Sequence, residues 1–214
     1  QWPFVTLQTT QKGDFEKFYP TSVMETAYDI LPFWVIRMIM LGIYVTGDVP
    51  FREVLIHGLV RDREGQKISK SKGNVINPIE MADKYGADAL RMGLLWGASI
   101  ENDVCLSEEN INAQRKFSNK VWNAARFVLS LENDTPKSED FDKRIDKIVR
   151  ETTKYLNEYQ LSQASELLYS EFWHWYCDEC IEGAKQGKIG VKQMKDGLTA
   201  FIKLLHPFMP FVTE

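Results

Sequence analysis

The sequence predicts two joined parts, an α/β segment over residues 1–105 and an all-α helical bundle over residues 106–214. Before residue 106, glycines and prolines punctuate short mixed elements; after it, apolar residues recur at helical spacing. Composition supports both parts as folded: 44% hydrophobic and 26% charged residues in 214 exclude a disordered or fibrous chain.

In the first part, Pro32 suits a first helical turn after Asp29-Ile30-Leu31, and the spacing predicts a helix over 33–41 that Gly42 closes. Residues 53–60, Glu-Val-Leu-Ile-His-Gly-Leu-Val, read as a largely buried strand between Pro50 and the charged turn Arg61–Gly65. Asn77-Pro78 is an N-cap followed by proline at the first helical position, predicting a helix over 79–85. Gly86 breaks it, and a second helix follows over 87–96.

In the second part, Phe117, Val121, Ala124 and Val128 fall on one helical face. Ile145, Ile148, Val149, Thr152, Leu156 and Tyr159 repeat the pattern, as do Val191, Met194, Leu198, Phe201, Ile202 and Leu205. Residues 161–185 read as one long aromatic-rich helix between them, and His206-Pro207 and Pro210 end the last. Helices of this kind joined by short polar loops make a bundle.

Charge and cysteine usage narrow the function classes. A net charge of −4 does not advertise a nucleic-acid binder, so only local clustering could make one. Three cysteines, an odd number, point to a reducing compartment and a cytoplasmic protein. The apolar stretch 30–44 is interrupted by Arg37 and falls short of the ~20 residues of a membrane span, so no membrane is expected. A start at Gln1 and a stop just past an apolar segment read as a piece of a longer protein.

The densest cluster of special residues is Gly65-Gln66-Lys67-Ile68-Ser69-Lys70-Ser71-Lys72-Gly73-Asn74. Its lysines can meet phosphate charge, Ser69 and Ser71 can donate hydrogen bonds, and Gly73 lets the backbone approach without a Cβ. On charge alone, a solvated surface loop explains it as well. The spacing is not that of a Walker A loop. The order Lys67-Ile68-Ser69-Lys70-Ser71 resembles the Lys-Met-Ser-Lys-Ser signature of class I aminoacyl-tRNA synthetases.

The resemblance covers nearly the whole chain. Residues 19–42, Tyr-Pro-Thr-Ser-Val-Met-Glu-Thr-Ala-Tyr-Asp-Ile-Leu-Pro-Phe-Trp-Val-Ile-Arg-Met-Ile-Met-Leu-Gly, are similar to the segment opening the second half of the catalytic domain in the valyl branch of that family. His57-Gly-Leu-Val-Arg-Asp62 leads into the signature loop as it does there. Residues 119–128 and 204–214 are similar to the anticodon-binding domain. The implied fold is a partial Rossmann-type nucleotide-binding segment followed by an anticodon-binding bundle.

The resemblance implies that Lys67 and Lys70 neutralise the ATP phosphates while an amino-acid carboxylate attacks the α-phosphorus. It implies that Asp29 accepts from the ATP ribose, although Ala27 stands where the family often has glycine. His57, Ser69, Ser71, Gly73 and Asn74 join the ATP-binding set, and Trp34 walls a pocket for a small branched side chain, although helix core explains it equally well. The implied partners are valine, ATP with Mg²⁺, and tRNA(Val). No His-x-Gly-His surrounds His57, His174 or His206, so the family's other ATP motif is expected upstream, and the editing domain a valine enzyme needs is also missing. The piece alone is expected to be inactive.

On the helix after Ile111, Arg115, Lys116, Lys120 and Arg126 lie with Asn119 and Asn123 opposite the apolar face, with no acid between 111 and 130. This basic stripe can be a phosphate-binding footprint or an ordinary solvated face; the resemblance favours tRNA contact. Cys177-Asp-Glu-Cys180 with His174 puts three possible ligands on one helical face. The aromatic setting and the missing second pair favour packing, and neither zinc nor any other protein-bound metal is expected. The alternatives are a sister isoleucyl or leucyl enzyme, a non-catalytic tRNA-binding module, and a helical scaffold. Thr26-Ala-Tyr-Asp-Ile30 departs from the isoleucine pattern Gly-Ser-Asp-Gln-His.

Overall fold

The computed structural model describes residues 2–69, 73–98, 103–132 and 138–214. The chain divides into two compact units, one running to Leu59 and including Asp103, the other holding Val60–Ala98 and Val104–Glu214.

The first unit opens with two short helices, α1 (Trp2–Thr10) and α2 (Asp14–Phe18), and then forms a βαβ crossover. Strand β1 (Thr21–Ala27) pairs in parallel with β2 (Phe51–His57), Thr21 opposite Phe51 and Ala27 opposite His57. The connection is a 3-10 turn (Tyr28–Ile30), a π turn (Leu31–Val35) and α3 (Ile36–Thr46). This helical run is longer than the 33–41 predicted, because Gly42 does not end it. A Cβ on Gly42 would sit 2.9 Å from the Tyr19 hydroxyl and 3.0 Å from Pro50, so the glycine answers a close approach. Gly47, at φ +79°, is the actual C-cap.

Residues 28–46 make a 19-residue stretch, long and apolar enough to cross a membrane by length and composition, which exceeds the sequence expectation. Its two ends join adjacent parallel strands of one sheet, the geometry of a crossover helix.

The second unit starts with β3 (Val60–Arg61), followed by α4 (Pro78–Tyr85), α5 (Ala87–Leu95) and β4 (Val104–Cys105), which pairs in parallel with β3. The Asn77 side chain accepts from Ile79 N–H, the cap expected from the sequence. The bundle consists of α6 (Glu108–Leu129), α7 (Glu139–Asn157), a continuous helical stretch, and α10 (Val191–Leu205) with a final turn α11 (Pro210–Thr213). The continuous stretch is α8 (Leu161–Ser170), a π-helical segment (Glu171–Cys180) and α9 (Ile181–Lys185). Phe117, Phe172, Tyr176 and Phe201 are fully buried between these helices, and the Tyr176 hydroxyl donates to Met194 O at 2.6 Å. That hydroxyl is thus satisfied inside an apolar core. Cys177 and Cys180 pack in the same core.

Candidate functional site

Parallel pairing of β1 and β2 brings their carboxyl ends to one edge, where open α/β sheets bind ligands. Asp29 follows β1 in the 3-10 turn, half-buried, and His57 ends β2. The His57 Nε2 lies 2.9 Å from Glu25 Oε1 and its Nδ1 2.7 Å from Gly58 O. Both ring nitrogens therefore face acceptors supplied by the chain itself, which orients the ring at the strand end. Trp34 lies in the π turn and lines a cleft of about 330 Å³ with Trp2, Tyr19, Met24 and Met38. Neither Asp29 nor His57 lines that cleft.

The signature loop belongs to the second unit. After β3, Gly65 N–H donates to Asp62 O at 3.0 Å and Asp62 N–H to Gln66 O at 2.9 Å, closing a tight turn. Gly65 supplies the φ of +75° that the turn requires. Lys67 returns alongside Arg61 as an antiparallel bridge, so Lys67 and Ser69 stand at the base of a hairpin. The Asn74 side chain accepts from Ser69 N–H at 2.9 Å and donates to Asp62 Oδ2 at 2.6 Å and to Lys67 O at 3.3 Å. Lys70 and Ser71 lie outside the described residues. Gly73 has φ +71°, a left-handed backbone that favours glycine there.

On α6, Arg115, Lys116 and Arg126 are exposed and form no hydrogen bond or ion pair among the described residues. Lys120 differs. Its Nζ lies 3.0 Å from Asp178 Oδ1 and 5.0 Å above the Trp173 ring, so part of its charge is answered within the bundle. Sequence reasoning passed over Trp122, which is 57% exposed on the same face as Arg115, Asn119 and Arg126. The signal was available: a tryptophan at i+7 from Arg115 falls outside the 117/121/124/128 apolar stripe. An exposed indole between guanidinium groups can stack on an unpaired base while the arginines meet phosphate.

Cys177 and Cys180 offer no chemistry of this kind. Burial pushes both thiols up to about 12, so they stay protonated in the core.

Comparison with known proteins gives two family matches along the chain. The family profile described as tRNA synthetases class I (I, L, M and V) matches residues 1–107, and the anticodon-binding domain of tRNA ligase matches 139–214. The chain is similar to proteins named valine–tRNA ligase. It is 41% identical to that of Clostridium tetani over all of this chain and 27% of the relative. It is 44% identical to that of Syntrophotalea carbinolica over all of this chain and 26% of the relative. The chain thus spans about a quarter of the length of these curated relatives. Among solved structures, the ternary LeuRS–tRNA–LeuAMS complex of Agrobacterium radiobacter K84 superposes with a TM-score of 0.76 at 22% identity. That match covers 92% of this chain and 27% of the other, a likeness of fold.

Proposed function

From its membership of the class I tRNA synthetases (the I, L, M and V group), we propose that this chain supplies the signature-loop half of the catalytic domain and the anticodon-binding bundle of a valine–tRNA ligase. We take residues 1–105 as the catalytic part and 106–214 as the tRNA-reading part. The observation that carries the reading is the Lys67-Ile68-Ser69-Lys70-Ser71 loop, rooted on an ordered hairpin and followed by a bundle with an exposed Arg-Trp-Arg face.

In the proposed reaction a valine carboxylate oxygen attacks the α-phosphorus of ATP. A new O–P bond forms, the bond to the β-phosphate bridging oxygen breaks, and pyrophosphate leaves. The 3′-terminal adenosine hydroxyl of tRNA(Val) then attacks the carbonyl and AMP departs. Lys67 and Lys70 meet the phosphate charge as it shifts to the leaving group, and no bond forms to the enzyme. Ser69, Ser71 and the backbone at Gly73 add hydrogen bonds. Asp29, at the carboxyl edge of the sheet, accepts from the ribose, with His57 beside that edge. Trp34 bounds the amino-acid pocket.

Mg²⁺ enters this reading only as part of the nucleotide substrate. Three unpaired cysteines support placing the enzyme in the cytoplasm.

The test is ATP–pyrophosphate exchange in the full-length enzyme. Lys70→Ala is expected to lower it by about 100-fold or more, the scale of losing one group that stabilises developing charge. Unchanged exchange overturns the catalytic reading, and exchange driven by isoleucine or leucine in preference to valine overturns the substrate.

A further inference from the structure

Asn74 stands in the ATP-binding set by resemblance, yet its carboxamide is committed elsewhere. Both Nδ2 hydrogens have acceptors, Asp62 Oδ2 at 2.6 Å and Lys67 O at 3.3 Å, while Oδ1 accepts from Ser69 N–H at 2.9 Å. The network also fixes which way the amide faces. A flip would point its oxygen at a carboxylate and a carbonyl and its NH₂ at an N–H. Asp62 is equally occupied: its Oδ1 accepts from Gln66 N–H at 2.7 Å while Oδ2 takes Asn74. Asn74 therefore has no donor left for a phosphate oxygen unless this clip breaks.

We propose that Asn74 and Asp62 are positioning residues for the signature loop. Their side-chain clip fastens Lys67 and Ser69 to the β3 turn, and Asn74 does not touch the nucleotide. The inference rests on the synthetase reading. Its physical reason is that a loop lysine contributes to the transition state only if its backbone is already placed, since reordering a free loop at each turnover raises the barrier. The clip crosses the loop base from residue 62 to residue 74, so it restrains the backbone of Lys67 and Ser69.

The experiment uses the full-length enzyme with Asn74→Ala, Asn74→Asp, Asp62→Asn and the exchanged pair D62N/N74D. In the exchanged pair, the amide now at position 62 can donate to the carboxylate now at position 74. Ser69 N–H keeps its acceptor there and Gln66 N–H keeps its own, but Lys67 O loses the Asn74 donor, so the rescue is partial. ATP–pyrophosphate exchange in Asn74→Ala is expected to fall roughly 10- to 100-fold in kcat with the KM for ATP nearly unchanged, the cost of misplacing a group by about 1 Å. Asn74→Asp sets two carboxylates against each other and falls at least as far, and adding Asp62→Asn restores about tenfold, which reforms one charge-assisted bond. Amide hydrogen exchange across residues 62–69 should quicken in Asn74→Asp and slow again in the exchanged pair.

A rise confined to the KM for ATP, or no rescue by the exchange, overturns the clip and returns Asn74 to the nucleotide. Lys70→Ala run alongside separates the two ideas. Lost activity there with a fully active Asn74→Ala enzyme sinks the clip alone, whereas activity retained in Lys70→Ala sinks the synthetase reading on which it rests.

Discussion

Lys120 belongs to the basic arc of α6 by sequence, but its ammonium is answered by Asp178 and the Trp173 ring. That pairing spans 58 positions along the chain and has no local signature. Lys120→Ala should therefore weaken RNA binding less than Arg115→Ala or Arg126→Ala, whose charges stand in solvent, as filter binding of a tRNA can measure. Trp122→Ala should cost about 1–3 kcal/mol of binding if a base stacks on the indole. The cysteines separate in the same way. Cys105 is exposed, whereas Cys177 and Cys180 are buried with their thiols held neutral by desolvation. Alkylation of the folded protein near neutral pH should add one adduct, at Cys105, by mass spectrometry. Rapid modification of Cys177 or Cys180 would contradict the core packing.

Between elements, two contacts set how helices meet. Gly197 on α10 faces α7 so closely that an added Cβ would lie 2.7 Å from the Phe141 ring. Gly197→Ala should destabilise the bundle by about 1–3 kcal/mol in thermal melts, because a buried ring cannot withdraw freely. Turn α11 has no side-chain cap of its own, and Asp88 on α5 accepts from Phe211 and Val212 N–H at 3.1 and 2.7 Å. Arg91, three residues on, donates to the carbonyls of Pro207 and Phe208. Asp88→Ala should cost about 1–3 kcal/mol through the two orphaned N–H groups.

The tie from α4 to α6 depends on pH. Hydrogen bonds from Lys84 and Tyr85 hold Glu108 below its ordinary 4.5, and the bond to Glu108 holds Lys84 above its ordinary 10.5. A lowered acid stabilises the fold above its unfolded value and loses that contribution as pH falls through the folded one; a raised base loses its contribution as pH rises through its folded value. The tie is complete between the two limits. Glu108→Gln should flatten the acid side of the melting-temperature profile below about pH 4.5.

At the scale of the whole molecule, an overall charge of −4 conceals a local cationic face. Fluorescence anisotropy with a tRNA bearing a valine anticodon should give an affinity that falls with salt, with the slope reduced by about one in Arg115→Ala. Replacing the anticodon should weaken binding further. Salt-sensitive binding indifferent to the anticodon would leave a generic RNA surface in place of an anticodon reader.

The sequence by itself determined the fold class, α/β elements followed by a helical bundle, together with the Asn77 cap and the residue order of the signature loop. Each depends on neighbours a few positions apart: capping geometry, periodicity and motif spacing are local properties of a chain. The tertiary structure decided what distant residues do to one another. Gly42 falls inside a helix because Tyr19 and Pro50 crowd it, so its meaning came from the packing of the first unit. The Asn74 carboxamide meets the Asp62 carboxylate at 2.6 Å across the turn at Gly65, a pairing of residues 12 positions apart that no local pattern announces. Hydrogen-bonding capacity is finite, and only three-dimensional proximity determines which partner uses it.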